Sequence, residues 1–326
     1  MISAASYERA LANTLGSSDF PALGMKYEGK VRDNYTKGDR RFIVVTDRVS
    51  AFDHVLGTIP FKGQLLNRMA AFWFERTKNI AANHVVHVPD PNVLECVECE
   101  ALPVEMVVRA YATGTTSTSL WTHYAKGART FCGHTLPDGL QKHQKLPQAI
   151  LTPATKAAVG EHDVSASREE ILASGKVAAA DFDQAAKMAM DLFAAGESFA
   201  KERGLILVDT KYEFGKTKDG RIVVIDEIHT PDSSRYWIQA SYAEAFAKGE
   251  DPPSLDKDYV RRYLTSVGYT GDGKPPALPD DVRIEAAKRY VKAFETVTGQ
   301  EFVPNEEEPS TRILKNVQYA IERSRG

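Results

Sequence analysis

GLILVDTKYEF (residues 204–214) and GRIVVIDEI (residues 220–228) are the two stretches that decide the fold class. Both are rich in β-branched and aromatic residues, the composition that suits a pleated, half-buried strand. The segment between them, Gly215–Gly220, carries Asp219-Gly220, the strongest short-range hairpin signal. A two-residue turn centred on that pair sets Glu213 directly opposite Asp226, with side chains about 5 Å apart at Cβ. Alternation places Asp209, Lys211 and Glu213 on one face of the first strand. Facing carboxylates repel unless a cation offsets them, and a hard divalent ion held by oxygen ligands and phosphates supplies that offset. The other reading is a solvated face with ordinary salt bridges. The apolar runs beside the acids favour partial burial, and buried Asp and Glu are rarely unpaired.

Working outward, Ser167 followed by Glu170 and Asp181 followed by Gln184 are capping signatures ahead of apolar-periodic runs. The second of these helices runs through Met188, Leu192 and Phe199. Downstream, periodicity predicts helices near 239–248, 256–266 and 281–298, the last with Val282, Ala286, Tyr290, Phe294 and Val297 on one face. Upstream, residues 3–15 and 64–77 read as helices. Residues 26–45 read as strand, glycine turn, strand and strand, and Val104–Tyr111 as a further strand. Residues 130–154 lack a sustained period and read as a long irregular crossing. Strands first, then mixed elements, then mostly helices, indicate an α+β protein with a small β-rich lobe at 1–110 and a larger α+β lobe at 111–326.

Composition narrows the function. The 326 residues are 43% hydrophobic and 26% charged, values of an ordinary globular chain. A net charge of -3 gives no global attraction to nucleic acid or to an anionic membrane. No apolar run reaches the roughly 18 residues of a membrane span, and the N-terminus is a poor secretory signal. Three cysteines are too sparse for a disulfide scaffold, which points to a reducing, cytoplasmic setting.

Four polar clusters accompany the hairpin. Lys26-Tyr-Glu-Gly-Lys-Val-Arg-Asp33 places Gly29 at a turn with Lys30 and Arg32 beyond it. Glycine admits close backbone approach to a phosphate and lysine adds a point charge. The run is neither a P-loop nor GxGxxG. Asp47, Ser50 and Asp53 follow a strand, where site residues gather; capping and a local salt bridge are the plainer tasks for Asp47 and Ser50. Arg109 ends a strand that opens into the hydroxyl-rich loop 113–118, a combination suited to an anion. His229-Thr-Pro-Asp-Ser-Ser-Arg235 brings Asp232, Ser234 and Arg235 directly after the hairpin. Cys96-x-x-Cys99 has no second pair to complete a zinc site, and no serine sits in GxSxG.

Five of these segments resemble one family. Ile206–Gly215 and Val44–Asp53 are similar to the signature segments of phosphoribosylaminoimidazole-succinocarboxamide synthase (SAICAR synthetase). Tyr27–Asp33, Arg109-x-Tyr-x-Thr-Gly114 and Asp226-Glu-x-x-x-Pro-Asp-Ser-x-Arg235 support the likeness in the same order. The resemblance implies a ligase that uses ATP and Mg2+ to join a carboxyaminoimidazole ribonucleotide to L-aspartate. It implies a kinase-like β-rich lobe packed on an ATP-grasp-like α+β lobe, with an ATP cleft between them. By the same resemblance Glu213 and Asp226 hold Mg2+, and Gly29, Lys30 and Arg32 meet ATP. Lys211 offsets charge at that face, and Arg109 and Arg235 clamp the nucleotide's phosphate. Asp47, Ser50 and Asp53 shape the substrate pocket, with Ser117, Asp232 and Ser234 beside the substrate. His229 is a further candidate for catalysis, though a loop histidine is more often structural. The family's usual Gly-Ser is here Gly114-Thr115, with Ser117 and Ser119 later, which leaves open the hydroxyl that meets substrate. The extra length at 127–155 and beyond 240 resembles the longer form of the family, for which a monomer is implied. Two other readings of the cluster are a small-molecule kinase and a nucleotide-binding regulator.

Overall fold

The computed structural model describes residues 2–52, 54–156, 163–255, 258–271 and 273–323. Contacts divide the chain into one unit of residues 1–75, 84–98 and 255–326 and another of residues 76–83 and 99–254. The expected boundary at 110 is therefore displaced. The strand predicted at 104–111 begins at Cys99 and belongs wholly to the second unit, and the last 72 residues belong with the N-terminal ones.

The first unit starts with α1 (Ala4–Ala12), capped by the Ser3 hydroxyl, which accepts from the Ser6 N–H. Strands β1 (Met25–Glu28), β2 (Arg32–Lys37) and β3 (Arg40–Val45) form the expected meander. A two-stranded sheet, β4 (Arg48–Ala51) and β5 (His54–Thr58), precedes α2 (Lys62–Thr77). Strands β6 (Val85–Asp90) and β7 (Val93–Val97) complete an antiparallel sheet of order β1-β2-β3-β7-β6.

The second unit is built on β8 (Cys99–Tyr111), whose Leu102, Val104, Met106 and Val108 are buried while Glu105 and Arg109 share the opposite face. After α3 (Leu120–Ala125), the segment read as irregular contains β9 (Thr130–Phe131), β10 (His134–Thr135) and β11 (Lys145–Leu151). It is held by its own core of Leu120, Tyr124, Phe131, Leu136, Leu140, Leu146 and Ile150. β9 and β10 are too short to show a period, and β11 contains Pro147 and a register irregularity between Lys145 and Ile150, so its alternation is broken. Strands β12 (Ala154–Thr155) and β13 (Val164–Ser165) lead to α4 (Arg168–Ala173), where Ser167 and Glu170 form the predicted capping box.

Helix α5 (Ala179–Glu202) starts earlier than predicted. Asp181 lies in its first turn rather than at its cap, and its carboxylate accepts from Lys216 Nζ at 2.9 Å. Strands β14 (Leu205–Thr217), β15 (Ile222–Ile225) and β16 (Ser234–Ile238) finish the sheet, of order β13-β12-β8-β14-β15, with β11 pairing β8 and β16 pairing β14. Next comes α6 (Gln239–Lys248), as predicted. The chain then supplies α7 (Asp258–Ser266), α8 (Asp280–Thr298) and α9 (Pro309–Arg323) to the first unit. Ile313 and Val317 of α9 join Leu15, Phe20, Tyr35, Phe42 and Val93 in one core. The architecture is mixed α+β with several antiparallel sheets.

The hairpin register differs from the expected one. Thr217 N–H donates to the Arg221 carbonyl at 2.9 Å, and Gly220 has φ +86. The turn therefore has three residues, Lys218-Asp219-Gly220, with glycine in the left-handed position such loops require. Glu213 consequently faces Ile225, and Asp226 falls just past the end of β15 with φ +69.

Candidate active site

The central strand β14 carries two polar centres on its face. At the first, Lys211 Nζ donates to Glu213 Oε1 at 2.7 Å and to Glu105 Oε1 at 2.9 Å. Glu105 is the cross-strand neighbour of Glu213 on β8, and Lys156 closes a further ion pair on Glu213 Oε2. Burial pulls the Lys211 ammonium down, but the charges of Glu213, Glu105 and Asp226 outweigh it and hold its pKa well above the ordinary lysine value. Burial likewise pushes Glu213 up, and Lys211 and Lys156 outweigh it, holding the carboxyl far below the usual range. Asp226 therefore acts on the same centre as Glu213, although not from the directly opposed position. Like-charge repulsion is relieved here by lysines.

The second centre lies four residues upstream. Asp209 sits between its cross-strand neighbours Arg109 and Arg235, with Oδ2 3.5 Å from Arg109 Nη1 and Oδ1 3.9 Å from Arg235 Nε. Arg109 is buried, and its other donors reach Thr152 Oγ1 at 2.8 Å and the Thr118 carbonyl at 3.0 Å. Arg235 is more open and donates to Thr113 Oγ1 at 3.3 Å. Ser234 points inward, its hydroxyl 2.6 Å from that of Thr210, and the Asp232 N–H donates to Thr230 Oγ1 at 3.3 Å. In the loop 113–119, Ser119 is buried and bonded to Thr116, whereas Ser117 is exposed, with its carbonyl accepting from His123 Nε2.

In the first unit, Gly29 opens the β1–β2 turn, its N–H donating to the Arg32 carbonyl at 2.8 Å; Lys30 is exposed and Arg32 half-buried. The strut beneath this turn is Arg48, a residue whose task spacing alone did not reveal. It donates to the carbonyls of Gly29, Lys30 and Gly16 and to Asp33 Oδ1 at 2.7 Å. Asp47 accepts the backbone N–H groups of Leu15 and Gly63, each at 2.7 Å. Burial pushes its carboxyl up to about 6 against the pull of those amides, Lys62 and Arg312. Asp47 thus pins backbone. Ser50 lies on β4 opposite Val55, and Asp53 lies outside the described residues.

His229 is enclosed rather than presented to a substrate. It is fully buried beside Gly196 of α5, its Nε2 bonds the Tyr212 hydroxyl, and burial lowers its pKa to about 3. Two residues of the first centre, Glu105 and Lys156, escaped the sequence reading. Glu105 shares a strand face with Arg109, a signal that was available; Lys156 lies beyond a proline-broken run and gave none.

The polar atoms of the first centre are carboxylate oxygens and ammonium groups. Among the described residues no three His, Cys, Asp or Glu side chains form a cage. A magnesium ion shared with phosphates needs only one or two carboxylates, and at this centre Glu213 pairs with Lys211 and Lys156, Glu105 pairs with Lys211, and the charge of Asp226 acts on Lys211. Carboxylate oxygens are the donor type that fits the ion.

An α+β enzyme that binds anionic small molecules is the class this fold and these charges define. The SAICAR synthetase family model matches residues 25–278. The chain is 47% identical over 300 residues to the phosphoribosylaminoimidazole-succinocarboxamide synthase of Legionella pneumophila (strain Lens), covering 91% of this chain and 96% of that protein. A chloroplastic synthase of the same name from Arabidopsis thaliana is 47% identical over 319 residues, 96% of this chain and 77% of that one. A solved SAICAR synthase from Saccharomyces cerevisiae, complexed with SAICAR, superposes with a TM-score of 0.77 at 31% identity, covering 89% of this chain and 100% of that one. The chain belongs to the SAICAR synthetase family. No helix among the described residues is long and apolar enough to cross a membrane.

Proposed function

We propose that this chain is an ATP-dependent ligase of de novo purine biosynthesis. It condenses 5-amino-1-(5-phosphoribosyl)imidazole-4-carboxylate with L-aspartate to give SAICAR, ADP and phosphate. The observation that carries this reading is the pairing on β14 of a carboxylate–lysine centre with an arginine-flanked aspartate, in a member of this family.

An amine does not displace oxide from a carboxylate, so the carboxylate must first be activated. Transfer of the γ-phosphoryl group of ATP to the imidazole carboxylate gives an acyl phosphate and ADP. The aspartate amine then attacks the acyl carbon, expels phosphate and loses a proton. The protein's part is positioning and charge stabilisation. Glu213 and Asp226 would hold Mg2+, which when bound would neutralise charge on the ATP phosphates. Lys211 keeps Glu213 ionised and oriented, and Gly29, Lys30 and Arg32 meet the nucleotide. Arg235 takes the substrate's phosphate, with Arg109 adding charge from its buried position behind Asp209. Ser117, Asp232 and Ser234 line the substrate site. Ser50 and Asp53 shape the pocket, and Asp47 acts there by fixing the backbone of Leu15 and Gly63. The kinase-like and ATP-grasp-like description of the lobes, a monomeric state and a cytoplasmic setting belong to the same proposal.

The test is ADP release with the ribonucleotide and L-aspartate omitted in turn. Dependence on both is expected. Aspartate-independent ADP release with a stable phosphorylated product would establish a kinase instead, and nucleotide binding without turnover would establish a regulator.

A further inference from the structure

A chain of hydrogen bonds runs from the second centre to the surface of the same unit. Arg235 Nη1 donates to Thr113 Oγ1 at 3.3 Å, Thr113 Oγ1 lies 2.9 Å from His143 Nδ1, and His143 Nε2 lies 2.7 Å from Asp251 Oδ1. Partner chemistry sets the direction of every bond. A carboxylate only accepts, so Nε2 carries the proton and, in the neutral ring, Nδ1 accepts. The Thr113 hydroxyl must then donate to Nδ1, which leaves its lone pairs facing the guanidinium. Burial holds the His143 pKa below the usual histidine value despite Asp251, so the neutral ring is the form present near pH 7.

The imidazole is also fixed in place. His143 is buried with φ +68, a left-handed conformation that is strained for a non-glycine residue. Its N–H donates to the Ala112 carbonyl at 2.7 Å, its carbonyl accepts from the Tyr242 hydroxyl at 2.9 Å, and its ring packs edge-on against Trp237. Surrounding contacts therefore hold a strained backbone so that one ring nitrogen meets Thr113. Asp209 and Thr113 then fix the Arg235 guanidinium from two sides.

We propose that His143, oriented by Asp251, is a positioning residue that acts through Thr113 to aim the Arg235 guanidinium at the phosphate of the ribonucleotide substrate. The inference rests on the assignment of Arg235 made under Proposed function. It predicts a defect in ribonucleotide binding and not in the chemical steps.

The experiment uses full-length Thr113→Val, His143→Ala, His143→Asn and Arg235→Met, singly and combined, with steady-state kinetics in each substrate and thermal melts. Losing one such hydrogen bond should raise KM for the ribonucleotide about threefold to tenfold in Thr113→Val and His143→Ala, leaving kcat and the KM values for ATP and aspartate unchanged. Asparagine tolerates the left-handed backbone and offers an acceptor near the Nδ1 position, so His143→Asn should stay within about twofold of the parent. In the Arg235→Met background, His143→Ala should add nothing. A full additional rise there, or an unchanged KM in Thr113→Val and His143→Ala while Arg235→Met raises it, would overturn the relay alone. An unchanged KM in Arg235→Met itself would overturn the assignment of Arg235 and the relay with it. Should His143→Ala fail to fold, the near-isosteric Thr113→Val and the tolerated His143→Asn still decide the question.

Discussion

Two acids show how residue type alone underdetermines role. Glu213 and Asp47 both follow strand-like runs, yet one meets two ammonium groups and the other two backbone amides. Replacing Glu213 or Asp226 with Ala should lower kcat by on the order of a hundredfold or more, the scale for losing a charge-stabilising group. Melting within a few degrees of the parent would show the fold intact, and near-normal turnover in either variant would sink the metal assignment. For Asp47 the sign follows from its raised pKa. The folded value of about 6 exceeds the unfolded one of about 3.9, so its contribution to stability is full below about pH 4 and is lost as pH rises through 6. Asp47→Asn should remove that component of the pH dependence and cost about 1–3 kcal/mol, because its NH2 would face a backbone N–H. Urea unfolding at pH 4.5 and 6.5 measures both effects. Lys211, Glu213 and Arg109 were legible in the sequence because their strands were, whereas Arg235 was legible from its motif, read as a loop, and lies on β16. Glu105 and Lys156 join the centre across sequence separations of 108 and 57 residues, which no local spacing reports.

Among the elements, the hairpin existed where its composition placed it, but its register slipped by one. The Asp-Gly pair signals a turn without fixing whether the loop has two residues or three, and that choice moved Asp226 out of opposition to Glu213. Helix α5 shows a matching limit: its apolar spacing was correct, while Asp181 was recruited by Lys216 instead of capping. Its Gly196 carries a sharper expectation. A Cβ there would lie 2.2 Å from His229 Cε1, inside a packed core. Gly196→Ala should cost about 1–3 kcal/mol through overpacking, seen as a lower urea midpoint at unchanged slope. Wild-type stability would refute the account of His229 as a packed core residue.

For the molecule as a whole, the decisive feature is that the first unit draws on both ends of the chain. Arg312 of α9 is 1% exposed and bonds Asp90, itself fully buried, at 3.0 and 3.1 Å, and it also reaches Asn92 Oδ1. Arg312→Met would strand the Asp90 charge and should cost about 3–5 kcal/mol. Calorimetry on the full-length protein checks this, and a loss below about 1 kcal/mol, the scale of an exposed pair, would contradict it. Deleting residues 280–326 removes Ile313 and Val317 from the core of the first sheet, and the shortened chain should lose cooperative unfolding.

The sequence by itself determined the α+β class, the positions of β1–β3, β8, the two hairpin strands and most helices, the family, and Lys211, Glu213, Asp226, Arg109 and Arg235 among the charged residues of the candidate site. These depend on local periodicity, turn chemistry and residue type, all of which act over a few neighbours. Only the tertiary structure decided the hairpin register, the partners of Glu213, the burial of His229, the strut role of Arg48 and the return of α9 to the first unit. Those outcomes follow from contacts between distant segments, where packing and charge pairing select among arrangements that the local pattern leaves equal.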